Sequence, residues 1–503
     1  MSSPDRRVLV FGADGLRPDM LDPGLMPNLT RLMEQGVHFS DHHASYPSHT
    51  RVQASTFSTG AHPGQHGVVA NTMIVPGATE DHIVNTGFYE HLDQMAQNDP
   101  TNRAQYVTSL SDVVTSHGGR VAVGGTGSSG SNALWTFNDR GRIINVNSAF
   151  GIADLYDLRE KLGPIPESAI PHVERNDYIA RAVTDVFLHD PSIRVITAWF
   201  TEPDGTFHYR GLGSPDAIAA IRDVDSHLGA IIDEMERRGI RDQFDVLFLS
   251  DHGHSTVRAH KSLREFLQDA SAELGTLPEL ATASDFIYAR PGNPEPDVAA
   301  LQPLVEWLQE QSWVDVVAGG RDDLAALPGV LSLTEIWGGF SNPRRPLLAV
   351  SPAWDHSPNE HGVPGTVAAL TTQGALKSSH GSLSPYDILA TFIASGPSFR
   401  EGVVTEFPTG AIDIMPTILT ILGMPVPDSV EGRVVTEGFA ASNADIPLAD
   451  DVEIGASIPG AHDRKVLLKR VGSSIYVHGS MQVGDVEPAP LVAAAARSQQ
   501  SGA

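Results

Sequence analysis

Four short segments of this chain carry side chains that could hold metal ions: Asp14 in FGADG, Asp204 with His208 in EPDGTFH, Asp251 with His252 in SDHGH, and His380 in SSHGS. Three carboxylates and three imidazoles make a hard-to-borderline donor set. It suits two divalent metal ions, Zn2+ first and Mn2+ or Fe after it, and is too rich in nitrogen for Ca2+. Two such ions about 4 Å apart would clamp a tetrahedral oxyanion. Nearer the N-terminus lies SYPSHTRVQASTFSTG, Ser45 to Gly60, with seven serine and threonine hydroxyls in sixteen residues. A hydroxyl beside such ions is a candidate nucleophile. Taken singly, each ligand has a structural role open to it, because an Asp at a strand end also caps a turn. The metal reading rests on the set, since four separate segments carry ligand types on what would be one edge.

The elements that must position them are legible as apolar runs bounded by Gly, Pro or Asp: RVLVFGADG at 7-15, RVAVGGTG at 120-127, IRVITAWFTEPDG at 193-205, FDVLFLSDHG at 244-253 and DILATFIASG at 387-396. Continuous apolar strands alternating with helix-period segments predict a parallel sheet covered on both faces. Asp14, Asp204, Asp251 and His252 then fall at the C-terminal ends of strands, the edge where open α/β sheets bind ligands. SPDAIAAIRDVDSHLGAIIDEMERRGI reads as a crossover helix, with Ser214 and Pro215 at its start and Gly239 at its end. The expected fold is a three-layer α/β/α sandwich with a mostly parallel central sheet and an inserted cap subdomain. Residues 1-254 and 376-435 would form the core, and the Pro- and Gly-rich 255-375 the cap. Residues 436-503 would form a C-terminal extension, with one hairpin from KVLLKR and SIYVHG around Val471 and Gly472 and a frayed tail, EPAPLVAAAARSQQSGA.

Bulk properties narrow the chemistry. The 503 residues include no cysteine, so a metal must be held by His, Asp and Glu. A formal charge of -27 argues against a nucleic-acid-binding surface or an anionic membrane as partner. No window approaches ~18 uninterrupted apolar residues, and the N-terminus has no leader-like apolar region, so a cytoplasmic protein is expected. No feature specifies an oligomeric state.

Together FGADG, a Thr before an S/T-G pair, N-x-M, E-P-D-x-x-x-H, S-D-H-G and H-G-S resemble the alkaline phosphatase superfamily, and within it the type I phosphodiesterase and nucleotide pyrophosphatase branch. The likeness spans roughly residues 7-76, 195-255 and 345-433. It implies one ion held by Asp204, His208 and His380, and another held by Asp14, Asp251, His252 and the oxygen of the nucleophile. In that family the nucleophile opens a helix nine residues before the Thr of a T-G pair, here Thr59-Gly60, which selects Thr50. The pattern Y-P-T-x-T, filled by Tyr46, Pro47, Ser48, His49 and Thr50, selects the same residue. Ser45 opens a stretch that resembles the sulfatase signature C/S-x-P-S-R, but it is out of register by five residues and has His49 where that signature has arginine. The resemblance implies double displacement through a phosphothreonine at Thr50, with helix N–H groups favouring the anion. It also makes Asn71 in VVANTM the donor to a non-bridging phosphoryl oxygen. His42, His43, His49, His62 and His66 are expected to be exposed or packed in turns, not to add ligands.

Arg51 departs from the pattern. Relatives usually have an aromatic residue just after the nucleophile, able to stack on a base; a guanidinium there could grip a second anionic group instead. The expected activity is therefore a phosphodiesterase or phosphonate hydrolase acting on a small molecule. The alternative is a phosphomonoesterase with the same site, in which Arg51 or Lys377 balances the extra charge. A sulfatase and a catalytically silent metal-binding protein are the remaining readings. On an exposed helix face, Arg51 would serve none of these.

Overall fold

The computed structural model of the chain describes residues 6–137, 141–150, 155–275, 277–340, 342–369, 374–441, 448–458 and 462–482. Ten strands form its central sheet. Across it run Val403–Thr405, Gly36–His43, Leu389–Ser395, Phe244–Leu249, Arg7–Ala13, Ile193–Phe200, Arg120–Gly125, Arg142–Asn145 and Ala149–Phe150, with Thr409–Gly410 beside the end of Gly36–His43. The apolar runs become strands because both of their faces are covered. Along Arg7–Ala13, Val8 and Val10 enter one core while Leu9 and Phe11 enter another. The first core takes in helices Thr50–Thr59 and Ile414–Leu422; the second takes in Pro215–Arg237 and Val173–Asp185. The result is a three-layer α/β/α sandwich with a mostly parallel sheet.

Two strands differ from the sequence reading, and both differences matter for the site. Leu389–Ser395 runs antiparallel to both of its neighbours. It therefore begins at the edge where the parallel strands end, which brings the residues before it to that edge. Gly36–His43, with the sequence GVHFSDHH, lacks a continuous apolar run and was not expected as a strand. Val37 and Phe39 still supply its core face. The crossover helix matches expectation: Ser214 Oγ accepts from Ala217 N at 3.2 Å, and Gly239 takes a φ of 64° just beyond its end.

Between residues 255 and 369 no described strand joins the central sheet. Leu280–Ala283, Phe286–Ala289, Leu348–Pro352, Val314–Gly319 and Leu331–Ser332 form a sheet of their own. Helices Leu263–Leu274 and Val298–Glu310 pack on it around a separate apolar core. After residue 448 the expected hairpin is present as His462–Val471 and Ser474–Gln482, and Ala449–Ile458 adds a third strand to it. The EPAPLVAAAARSQQSGA segment lies outside the described residues. No helix among the described residues is long and apolar enough to cross a membrane.

Candidate metal centre and active site

The ends of two parallel strands, Arg7–Ala13 and Ile193–Phe200, are tied to one another by main-chain bonds: Asp14 N donates to Phe200 O, and Asp204 N to Asp14 O, each at 3.0 Å. FGADG meets this geometry with two glycines. At Gly12 an added Cβ would stand 2.1 Å from the Trp199 ring, so only glycine lets that indole lie across the strand, where its Nε1 donates to Asp14 Oδ2 at 3.0 Å. Gly15 takes a φ of 70°, and its N–H donates to Asp251 Oδ1 at 3.1 Å. His252 N donates to the same oxygen at 3.1 Å.

Each of these two carboxylates thus has one oxygen held by the protein. The other, Asp14 Oδ1 or Asp251 Oδ2, is buried with no hydrogen-bond partner. Both orphaned oxygens face His252 Nε2, at 3.6 and 3.2 Å, and Thr50 Oγ1 lies 3.2 Å from the same nitrogen. Ligands on a tetrahedral ion with bonds near 2.0–2.1 Å stand about 3.3 Å apart. A buried lone pair without a donor is costly, and a cation is the partner these atoms fit. Asp14 responds to its surroundings: burial, then the neighbouring Asp251 and Asp204, pushes its carboxyl well above the usual range. Burial opposes charge on His252, but Asp251, Asp14 and Asp204 outweigh it and raise the imidazole to about 10.

A second group adjoins the first. Asp204 and His208 stand four apart on the helix Asp204–Arg210 and so share a face, with His208 Nε2 3.4 Å from Asp204 Oδ1. His380, preceding the antiparallel strand, brings its Nε2 to 3.5 Å from that oxygen. The three expected histidine ligands are fixed alike, with Nδ1 against a main-chain carbonyl: His208 on Ser378 at 2.8 Å, His252 on Gly253 at 2.9 Å and His380 on Ser48 at 2.7 Å. That bond places the hydrogen on Nδ1 and turns the Nε2 lone pair inward. Ligand atoms of Asp14, Asp204 and His252 lie within 4.8 Å of one another, and so do those of Asp204, His208, His254 and His380, while Asp251 and Thr50 adjoin the first set at His252 Nε2.

Thr50 is the first residue of a helix whose side chains from Val52 to Thr59 are all buried. Most of its crowded hydroxyls are structural: those of Thr56, Ser58 and Thr59 donate to carbonyls within the same helix. Ser45 is buried elsewhere, its N–H on Gln53 and its Oγ 3.5 Å from His62 Nδ1. Asn71 Oδ1 accepts from Arg51 N at 3.2 Å, which leaves its amide N–H groups for another acceptor. These residues open on a cavity of about 640 Å³, walled by Thr50, Arg51, Asn71, Asp204, His208 and His380, and by Arg264 and Asp285 from the 255–369 segment.

Several expectations need correction. Arg51 is not a surface helix residue: it lines the cavity, its Nε is buried without a partner, and a Cβ on Gly87 would sit 2.4 Å from its Nη2. Lys377 is exposed and does not line the cavity. None of His42, His43, His49, His62 and His66 is exposed: His42 and His43 lie on the interior strand Gly36–His43, His66 ends the short buried helix Pro63–His66, and His49 and His62 are packed in the connecting segments just before helices, as the alternative expectation had it. His49 also lines the cavity, 3.6 Å from Asp285.

With this geometry in view, comparison with known proteins is informative. The model of the family described as type I phosphodiesterase / nucleotide pyrophosphatase matches residues 8–310. The chain belongs to this family. The match includes Asp14, Thr50, Asp204, His208, Asp251 and His252, while His380 lies beyond it. An uncharacterized pyrophosphatase/phosphodiesterase of Schizosaccharomyces pombe is 26% identical over 262 residues, 49% of this chain and 44% of that protein. A venom phosphodiesterase of Macrovipera lebetinus is 24% identical over 265 residues, 50% of this chain and 26% of that protein. This chain therefore spans less than half the length of these two relatives. The solved structure of murine ectonucleotide pyrophosphatase / phosphodiesterase 5, in complex with AMP, superposes with a TM-score of 0.61 at 18% identity, covering 86% of this chain and all of that one. It shares the fold.

The family pattern did not point to His254. This buried imidazole donates from Nε2 to Asp204 Oδ1 at 2.7 Å, and burial lowers it to about 4, so it is neutral. The signal was present in SDHGH, where a second histidine stands two residues after His252. Nothing in its spacing says that it turns toward Asp204.

Proposed function

We propose that this chain is a two-metal phosphodiesterase acting on a small molecule, with Thr50 as nucleophile. The observation that carries the reading is Thr50 Oγ1 at a helix start, 3.2 Å from His252 Nε2, which also faces two buried carboxylate oxygens that have no hydrogen-bond partner. Asp14, Asp251 and His252 with Thr50 would hold one divalent ion, and Asp204, His208 and His380 the other; zinc fits the donor set best. Bound there, the ions would supply positive charge that eases ionisation of the threonine hydroxyl and offsets charge on the phosphoryl oxygens.

The chain's own residues account for the rest. Thr50 Oγ1 loses its proton to solvent and attacks phosphorus in line. A bond from Oγ1 to phosphorus forms as the bond to the leaving alkoxide breaks, giving a phosphothreonine; water then attacks phosphorus and releases Thr50. The first N–H groups of the helix face the incoming anion. Asn71, with its Oδ1 engaged by Arg51 N, donates its amide hydrogens to a non-bridging oxygen.

Arg51 supports a substrate that carries a second anionic group. Tyr209 is the one phenol or indole in the described wall, so the cavity offers no aromatic pair to sandwich a base. A phosphonate or phosphomonoester with a further negative charge fits the guanidinium as well, and this favours the monoesterase as second reading.

Turnover of bis-p-nitrophenyl phosphate, p-nitrophenyl phosphate, a thymidine nucleotide p-nitrophenyl ester and phosphonoacetate, measured beside the metal content, tests these readings. Diester hydrolysis with bound transition metal is expected. Robust monoester hydrolysis with little diester hydrolysis would replace the first reading with the second, and active protein devoid of transition metal would remove the two-metal site.

A further inference from the structure

One hairpin of the 255–369 segment reaches the surroundings of the nucleophile. Its strands Leu280–Ala283 and Phe286–Ala289 pair through Ala283 and Phe286, so Ser284 and Asp285 alone make the turn, and both line the active-site cavity. Ser284 takes a φ of 48°. Two-residue turns place glycine where φ is positive, because a Cβ is strained there. Serine in that place keeps what glycine would lose, a side chain.

That side chain is spent on Thr72, the residue after Asn71. The Ser284 hydroxyl accepts from Thr72 N at 3.2 Å and donates to Thr72 O at 3.1 Å. The peptide group between Asn71 and Thr72 is thereby held on both sides. Asn71 O accepts from Thr86 N at 3.0 Å and from Thr86 Oγ1 at 2.8 Å, while Thr72 N is held by Ser284. Asn71 N donates to His49 Nδ1 at 3.4 Å, which in the neutral ring puts the hydrogen on Nε2, 3.6 Å from Asp285 Oδ2. Both turn residues therefore bear on Asn71: Ser284 through the following peptide, and Asp285 through His49.

We propose that Ser284 is a positioning residue for phosphoryl transfer: by fixing the 71–72 peptide it sets the direction in which the Asn71 amide reaches the phosphoryl oxygen. The inference rests on the role given to Asn71 above. A donor works on developing charge only when it is already aimed at it, and a misplacement of about 1 Å costs on the order of a hundredfold in rate. A strained φ persists where surrounding bonds hold it, and the two bonds to Thr72 do so here. The 255–369 segment then contributes to the aim of a catalytic group as well as to the cavity wall.

The test measures kcat and KM of the metal-loaded full chain, on the better of bis-p-nitrophenyl phosphate and p-nitrophenyl phosphate, beside metal content and melting temperature. Ser284→Ala and Ser284→Gly both remove the hydroxyl, and glycine suits the positive φ. Each is expected to lower kcat about tenfold, with KM and metal content little changed. Added to Asn71→Ala, which alone lowers kcat, neither should lower it by more than about twofold further. A Ser284 that served only packing would not show this loss of additivity. Asn71→Ala with full turnover would overturn the role of Asn71 and this inference with it. An impaired Asn71→Ala beside Ser284 variants of normal kcat would overturn Ser284 alone, and so would additive losses in the double variants. Normal turnover by Ser284→Gly but not by Ser284→Ala would also overturn it, because strain and not the hydroxyl would then be at work. Should Ser284→Ala fail to fold, Ser284→Gly, which relieves the strain, carries the comparison.

Discussion

Thr50→Ala removes the one hydroxyl that faces His252 while leaving the carboxylate and imidazole donors in place. Turnover is expected to fall by at least about a thousandfold, with metal content retained, as elemental analysis would check. Asn71→Ala removes a single donor to the developing charge, and kcat should drop about a hundredfold with little effect on metal content. His254 separates geometry from packing. Gln presents an amide N–H where the imidazole has Nε2–H, so His254→Gln should preserve zinc affinity at the Asp204 group. His254→Leu frees Asp204 Oδ1 and should weaken that affinity about 10- to 100-fold, measured by competition with a chromophoric chelator. Equal affinities for the two variants would show that the 2.7 Å bond does not position Asp204.

At the scale of elements, the site exists because parallel strands end where an antiparallel strand begins. Asp14, Asp204 and Asp251 follow strands, whereas His380 precedes one, and all of them reach the same edge. The close passage of Trp199 over Gly12 belongs to this scale too. Gly12→Ala would push the indole off the strand and Asp14 Oδ2 would lose its donor. Overpacking of this kind costs about 1–3 kcal/mol. The expected outcome is a lower melting temperature together with weaker metal retention, although no ligand has been changed; retention equal to that of the unaltered protein would exclude Trp199 as the support of Asp14.

At the scale of the whole molecule, the C-terminal sheet is part of the catalytic unit's packing: Val466, Leu468 and Val477 join the larger core, and Ser480 N donates to Leu383 O at 2.8 Å, three residues beyond His380. A chain ending at residue 441 should melt at a lower temperature and hydrolyse bis-p-nitrophenyl phosphate more slowly; unchanged melting would make that sheet dispensable. The local code was enough to reveal the five apolar strands, the crossover helix with its Ser214 cap, and the ligand types at Asp14, Asp204, His208, Asp251, His252 and His380, because each depends on neighbours within a few residues. The register of T-G against Thr50 was likewise a matter of sequence distance. What lay beyond it depends on contacts across hundreds of residues. GVHFSDHH reads as polar, yet it is an interior strand, since Leu389–Ser395 and Val403–Thr405 flank it. For Arg51 a helix surface and an anion grip were both open until the cavity closed around it, and His254 went unread, because Asp204 meets it from 50 positions away in sequence. By itself the sequence determined which groups could do the chemistry and on which sheet edge most of them stand. Only the tertiary structure decided which of them converge, because the direction of a side chain at a strand end is set by what packs against it.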